Sequence, residues 1–249
     1  MTDFTEAEQQ LYDDAMRLVR IKAFKRKVAK HYVDSFPQEE SPVSVFMAGS
    51  PGAGKTEVSE KLIEELGGDV LRLDSDDLRH EFTGYTGINS YVFQDASTRL
   101  LESLHDRALK RSVSFILDST LSSYDKAVSN IERSLNRGRS VLISFVYQEP
   151  QQAWAFVKAR EKVEGRRVPM DIFIDKFLLS RQVVNALKKK FNNNVVLQVL
   201  VKNIDGSDKL FNSNVDSVDP YLGKKYNRAS LEKIVELYEE GGNNASKTT

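Results

Sequence analysis

Apolar residues recur at three- and four-residue steps through the first segment of the chain, at Ala15, Leu18, Ile21, Phe24, Val28 and Tyr32. That period predicts an amphipathic helix, or two, whose solvated face carries Arg17, Arg20, Lys22, Lys25, Arg26, Lys27 and Lys30. Pro37 and Pro42 bracket a polar break, which sets residues 1–42 apart as an N-terminal helical extension docked on the rest of the chain. From Val43 the pattern changes to short β-rich runs alternating with helical stretches. Strands are predicted at Val43–Ala48, Val70–Leu73, Val113–Leu117, Val141–Tyr147 and Val195–Val201, with Asp205-Gly206 turning into a further short run, Lys209–Phe211. Helices are predicted at Lys55–Leu66, Arg99–Arg111, Ser122–Asn136, Pro150–Val163 and Asp171–Lys190. Strand–helix alternation is the signature of an α/β fold, a parallel sheet flanked by helices on both faces, here over residues 43–225. Residues 226–249 are expected to form a C-terminal helix and a frayed polar tail from Asn243.

Composition narrows the function classes. The 249 residues carry 36 Lys+Arg against 36 Asp+Glu, so a global basic field suited to general nucleic-acid binding is missing. There is no cysteine, which excludes disulfides, thiolate metal sites and a cysteine nucleophile. His31, His80 and His105 show no metal-ligand spacing. The longest apolar run, Val141–Tyr147, is far short of the roughly 20 residues that a membrane span needs, and Met1–Gln10 is too polar for a secretory signal. A cytoplasmic protein is expected.

The chemistry is concentrated in a few strings. Gly49-Ser50-Pro51-Gly52-Ala53-Gly54-Lys55-Thr56 matches G-x-x-x-x-G-K-[ST] at every defined position, after an apolar strand and at a helix start. Its glycines let backbone N–H groups curl around phosphate oxygens, Lys55 supplies a cation to the β/γ-phosphates, and the Thr56 hydroxyl is placed for Mg²⁺. The string therefore implies ATP or a related nucleoside triphosphate with magnesium. No D-x-x-G occurs for a GTPase switch, and Asp118-Ser119-Thr120, after an apolar strand, offers Asp118 for magnesium without the paired Glu of a mechanical ATPase. Leu73-Asp74-Ser75-Asp76-Asp77-Leu78-Arg79 places three carboxylates at a strand tip, expected beside the phosphate-loop strand. A carboxylate there can take the proton of an acceptor hydroxyl during phosphoryl transfer, while Asp76 or Asp77 is also placed to cap the next helix. Arg166 and Arg167 fall in, and Arg160 beside, a Gly165–Pro169 connection suited to a basic lid.

Together these strings resemble the zeta-toxin family of P-loop kinases over roughly Val43–Phe191. The resemblance implies transfer of the ATP γ-phosphate to the sugar 3′-hydroxyl of UDP-N-acetylglucosamine, with the consequence of blocked cell-wall synthesis. The strings alone also fit a P-loop kinase for another hydroxyl, such as a polynucleotide 5′-end or a small metabolite, or a regulatory module that binds ATP without transfer. By that match Asp76 is the base within D-x-D-x-[F/L]-[R/K], where Asp74 and Arg79 also fall. Glu102 and Thr120 correspond to substrate-contacting positions, and Arg160 and Arg166 to the phosphate clamp. Asp118-Ser119 stands where the family has Glu-Gly, which shortens the acid and adds a side chain. The family's toxins are held inactive by an antitoxin helix, so the expected partners are ATP, a nucleotide sugar and either an antitoxin or the chain's own N-terminal helix acting in cis on the ATP site.

Overall fold

The structure is a computed structural model that describes residues 4–165 and 167–245. Two helices open the chain, α1 (Glu6–Leu18) and α2 (Lys22–Val33). Thr5 and Glu8 form a reciprocal capping box at the start of α1, and Ile21 lies extended between the two helices. There follow β1 (Val43–Ala48), α3 (Lys55–Glu65), β2 (Leu71–Asp74), two short helical turns at Asp77–Glu81 and Ser90–Phe93, and α4 (Gln94–Lys110). The remainder is β3 (Phe115–Asp118), α5 (Tyr124–Leu135), β4 (Ser140–Tyr147), α6 (Pro150–Glu164), α7 (Met170–Phe191), β5 (Val196–Lys202), β6 (Asp208–Asn212) and α8 (Arg228–Ala245). The expected frayed tail from Asn243 is helical through Ala245, and the rest of it lies outside the described residues.

The six strands run in the order β2-β3-β1-β4-β5-β6, parallel except for β6, which pairs antiparallel with β5. The strand expected beside the phosphate-loop strand is thus displaced by one position. β3 lies between β1 and β2, and Asp74 sits opposite Asp118 in the β2–β3 register. Burial explains the order. Phe115, Ile116 and Leu117 are covered on both faces, as an interior parallel strand requires, whereas β2 alternates buried and half-buried residues as an edge strand does. On β1, Val45 and Met47 face the smaller apolar cluster with Val58 of α3, while Phe46 and Ala48 face the larger one with α4, α5 and α7. Val45–Ala48 is wholly inaccessible to solvent, so the residues just before the phosphate loop are held from both sides.

α4 begins five residues before the predicted Arg99, with Gln94–Thr98 as its first turn. α2 lies along α4, tied there by a bidentate pair from Arg107 to Asp34 at 2.6 Å, and that bond, with burial opposing, holds the Asp34 carboxyl below its usual range. α1 packs on the segment after β2, where Tyr91 donates to Glu8 and Leu11 lies against Gly84, and on the start of α4, where Tyr12 donates to Asp95 at 3.1 Å. In α2, Tyr32 donates to Glu81 at 3.0 Å. The apolar faces of both helices therefore buttress α4 and residues 77–93, and the restraint in cis expected of them at the phosphate loop is not among these contacts. Among the described residues no helix is long and apolar enough to cross a membrane.

His105 on α4 is 2% exposed, wedged edge-on to Phe46 and Phe115, and its Nε2 has no partner. Burial first, and then the charges of Arg133, Arg139 and Arg137, pull its pKa down to about 3. The unfolded chain therefore binds this proton more readily than the folded one, and stability falls as pH drops below about 6.5. Between pH 7 and pH 5 this one group costs on the order of 2 kcal/mol. His105→Leu should flatten that acid limb. Urea unfolding at pH 7.5 and pH 5 checks it: the variant should lose less stability between the two than the parent does.

Candidate functional site

The phosphate loop is shaped by three glycines with positive φ: Gly49 (135°), Gly52 (74°) and Gly54 (87°). Two of them are also sterically obligatory. A Cβ on Gly49 would lie 2.2 Å from the Val146 carbonyl oxygen of β4, and one on Gly52 would lie 2.0 Å from that of Ala153 in α6. Gly49 N–H donates to the Thr120 carbonyl at 3.3 Å, which fastens the loop to the strand tip on its other side. Lys55 Nζ donates to the carbonyls of Gly49 at 3.2 Å and Ser50 at 2.8 Å, so the ammonium is held within the curl of its own loop. Thr56 is half-buried in the first turn of α3. Behind Gly54 lies a lysine that no motif singles out. Lys202 is 4% exposed and pairs with Asp208 at 2.9 Å and Glu57 at 3.4 Å. The Lys202 bond holds the Asp208 carboxyl below its usual range, against the effect of burial.

The carboxylates gather across β2 and β3. Asp74 Oδ1 accepts the Asp76 N–H at 2.9 Å, so Asp74, rather than Asp76 or Asp77, caps the turn after the strand. Asp76 pairs with Arg79 at 2.9 Å, and Arg79 donates to Gln94 at 2.5 Å. Arg79 is 2% exposed, and burial lowers its guanidinium pKa. This arginine is therefore an anchor beneath Asp76. A second arginine, which belongs to none of the motifs, stands at the centre of the group. Arg72 NH2 lies 2.6 Å from Asp74 and 3.0 Å from Asp118, and NH1 lies 3.5 Å from Asp77. Burial opposes its charge, but the bond it donates to Asp118 and the charges of Asp74, Asp118 and Asp77 raise its pKa. Burial first and the Asp74 charge second push the Asp77 carboxyl up. An arginine between two leucines, two residues before Asp74, was the available signal for this cluster.

Ser119 turns inward: its hydroxyl donates to the Met47 carbonyl at 3.3 Å and accepts from Leu121 N–H at 3.2 Å. The extra side chain relative to Glu-Gly thus ties the strand tips together and does not enter the cleft. Thr120 exchanges a hydrogen bond with Ser122 at 3.0 Å, and Lys176 of α7 donates to Ser122 at 2.8 Å. Glu102, half-exposed on α4, pairs with Lys126 of α5 at 3.1 Å. Arg160 is half-exposed on α6, pairs with Glu164 at 3.1 Å, and lies near enough to Arg79 for its charge to be felt there. Arg166 lies outside the described residues. At the end of α6, Gly165 (φ 71°) meets Ile88, whose Cγ1 would be 2.7 Å from an added Cβ, and Gly87 approaches the Glu164 carbonyl to 3.0 Å on the same measure. The segment after β2 and the end of α6 thus touch.

Among the described residues no group of three or more His, Asp or Glu side chains could hold a metal unaided. Thr56 and Asp118 are the oxygen donors that a magnesium ion would draw on here, and of these the Asp118 carboxylate already gives its Oδ2 to Arg72 and keeps its other oxygen for a cation.

A glycine-curled loop between a central parallel strand and a helix start, facing a row of carboxylates, defines a P-loop phosphotransferase fold. The family model for the zeta toxins matches residues 28–216, and the chain belongs to that family. It is 20% identical over 122 residues to Toxin PezT of Streptococcus pneumoniae serotype 4, a match covering 46% of this chain, and it spans about half (48%) of that relative's length. The fold is similar to a structure from the PezAT chromosomal toxin-antitoxin system of Streptococcus pneumoniae, with TM-score 0.65 and 14% identity over 98% of each chain. It is also similar to AvrRxo1-ORF1:-ORF2 with ATP, with TM-score 0.59 and 16% identity over 92% of this chain and 73% of that one.

Gly52→Ala should displace the loop from α6, because neither backbone can yield the missing ångström without moving the phosphate cradle. Misplacement on that scale costs about 10²-fold in rate. Titration with a fluorescent ATP analogue should show weakened binding in a protein that still melts cooperatively.

Proposed function

We propose that this chain is an ATP-dependent kinase that transfers the γ-phosphoryl group to the 3′-hydroxyl of UDP-N-acetylglucosamine. The observation that carries the reading is the placement of Asp76. Its backbone is fixed by Asp74 and its carboxylate by buried Arg79, at strand tips that also hold the phosphate loop.

In this reading the acceptor oxygen attacks the γ-phosphorus as the bond to the β,γ-bridging oxygen breaks, and Asp76 takes the hydroxyl proton. Lys55 turns from the Gly49 and Ser50 carbonyls to the β/γ-oxygens. The loop N–H groups bind the phosphates, while Arg160 and Arg166 neutralise charge on the transferring group. Thr56 and Asp118 would hold a magnesium ion, which when bound would supply charge neutralisation to the phosphates. Glu102 and Thr120 are assigned to the acceptor sugar, as are Asp74 and Arg79 through their hold on Asp76. The family supports the sugar-nucleotide acceptor, and the toxin-antitoxin setting of the PezAT neighbour supports an antitoxin partner.

Labelled ATP offered with a panel of UDP-sugars, oligonucleotide 5′-ends and free sugars tests the acceptor directly. Label should appear on UDP-N-acetylglucosamine, and transfer to another acceptor alone would reject that substrate. Lys55→Ala should lower transfer by on the order of 10²-fold or more through loss of its charge. Asp76→Asn should still bind ATP while transfer falls roughly 10²–10⁴-fold. An active Asp76→Asn beside a dead Asp74→Asn would move the base to Asp74.

A further inference from the structure

Asp74 and Asp118 are side by side on adjacent parallel strands, at the ends of β2 and β3. Two carboxylates in that arrangement repel, and on their own they would splay or recruit a cation. A single nitrogen of Arg72 lies between them, 2.6 Å from Asp74 Oδ2 and 3.0 Å from Asp118 Oδ2. Arg72 reaches this point because it lies two residues before Asp74 on the same strand, and side chains at i and i+2 project from the same face. Its side chain is 21% exposed and that of Asp118 only 6%, so the contact is largely removed from solvent screening.

Each carboxylate leads to a different part of the reaction. The second oxygen of Asp74 caps the Asp76 N–H at 2.9 Å, so the rotamer of Asp74 sets the backbone carrying the base. Asp118 begins the turn through Ser119 and Thr120, whose carbonyl holds Gly49 of the phosphate loop. We propose that Arg72 is a positioning residue that locks the base-bearing turn and the magnesium-facing carboxylate into one frame. The assignment rests on the kinase reading. Arg72 touches neither phosphate nor acceptor in it; its effect reaches them through Asp74 and Asp118. A guanidinium suits the task because its planar fork engages several carboxylates at once, whereas an ammonium on a flexible stem acts as a point charge.

The test compares Arg72→Met and Arg72→Lys with the parent chain. Arg72→Met should lower kcat about 10²-fold, the scale of a small misplacement of reacting groups, with KM for the metal–ATP complex rising only several-fold, in step with the loss of metal affinity. Arg72→Lys should recover only part of that loss. Arg72→Met added to Asp74→Asn should cost far less than it does alone, because residues acting through one contact are not additive. A readout without turnover is the affinity for Mn²⁺, measured by electron paramagnetic resonance in the presence of a non-hydrolysable ATP analogue. It should weaken several-fold in Arg72→Met, while the analogue's own affinity without metal stays unchanged. Unchanged kcat and unchanged Mn²⁺ affinity in Arg72→Met overturn the proposal, as does full kcat in Arg72→Lys. If Arg72→Met fails to fold, Arg72→Lys and the Mn²⁺ measurement on Asp74→Asn decide the matter in the same way. A parent chain that phosphorylates no acceptor would count against the kinase reading alone, since the Mn²⁺ comparison needs no transfer.

Discussion

The backbone of the phosphate loop is in direct contact with the backbones of β4 and α6, with no space for even a methyl group at Gly49 or Gly52. Everything else at the site is referred to that contact. It requires β1 to be immobile, and the wholly buried Val45–Ala48, hydrogen-bonded to parallel neighbours on both sides, meets that requirement. It requires α6 to start close to the end of β4, which Pro150 at the first helical position arranges. It also requires a third fastening, supplied by the Thr120 carbonyl. A loop held on three sides presents its N–H groups to an anion without first having to be ordered.

The strand tips face the opposite difficulty. Asp74, Asp76, Asp77 and Asp118 concentrate negative charge on two adjacent strand ends. Two arginines resolve it from below. Arg79, buried under Asp76, and Arg72, between Asp74 and Asp118, keep the acidic groups oriented and partly neutralised. A buried charge is tolerable only with such partners, so the two halves of each pair stand or fall together.

The strands and helices after Val43 were legible from period and composition, and the phosphate loop from its spacing. The order of the strands was not, because adjacency in a sheet depends on how many faces of each strand must be covered. The half-buried Arg72 in β2 and the unbroken Phe115-Ile116-Leu117 in β3 carried that information, although the order of the chain suggested otherwise. The early start of α4 was hidden by the polar run Gln94–Thr98, in which Gln94 turns to Arg79 and Thr98 instead of the core. The target of the N-terminal helices was hidden as well. An amphipathic period shows that a face is covered and says nothing of which element covers it, here α4 and residues 77–93.

The seam between Gly87-Ile88 and Glu164-Gly165 is made of backbone and one isoleucine that is 72% exposed. No ion pair or deep apolar contact secures it among the described residues. A seam of that kind carries little of the energy that holds the fold together. Drift in sequence at 87, 88 or 165 can therefore change how readily the segment after β2 and the end of α6 part, while the phosphate loop and the strand-tip carboxylates keep their own separate fastenings.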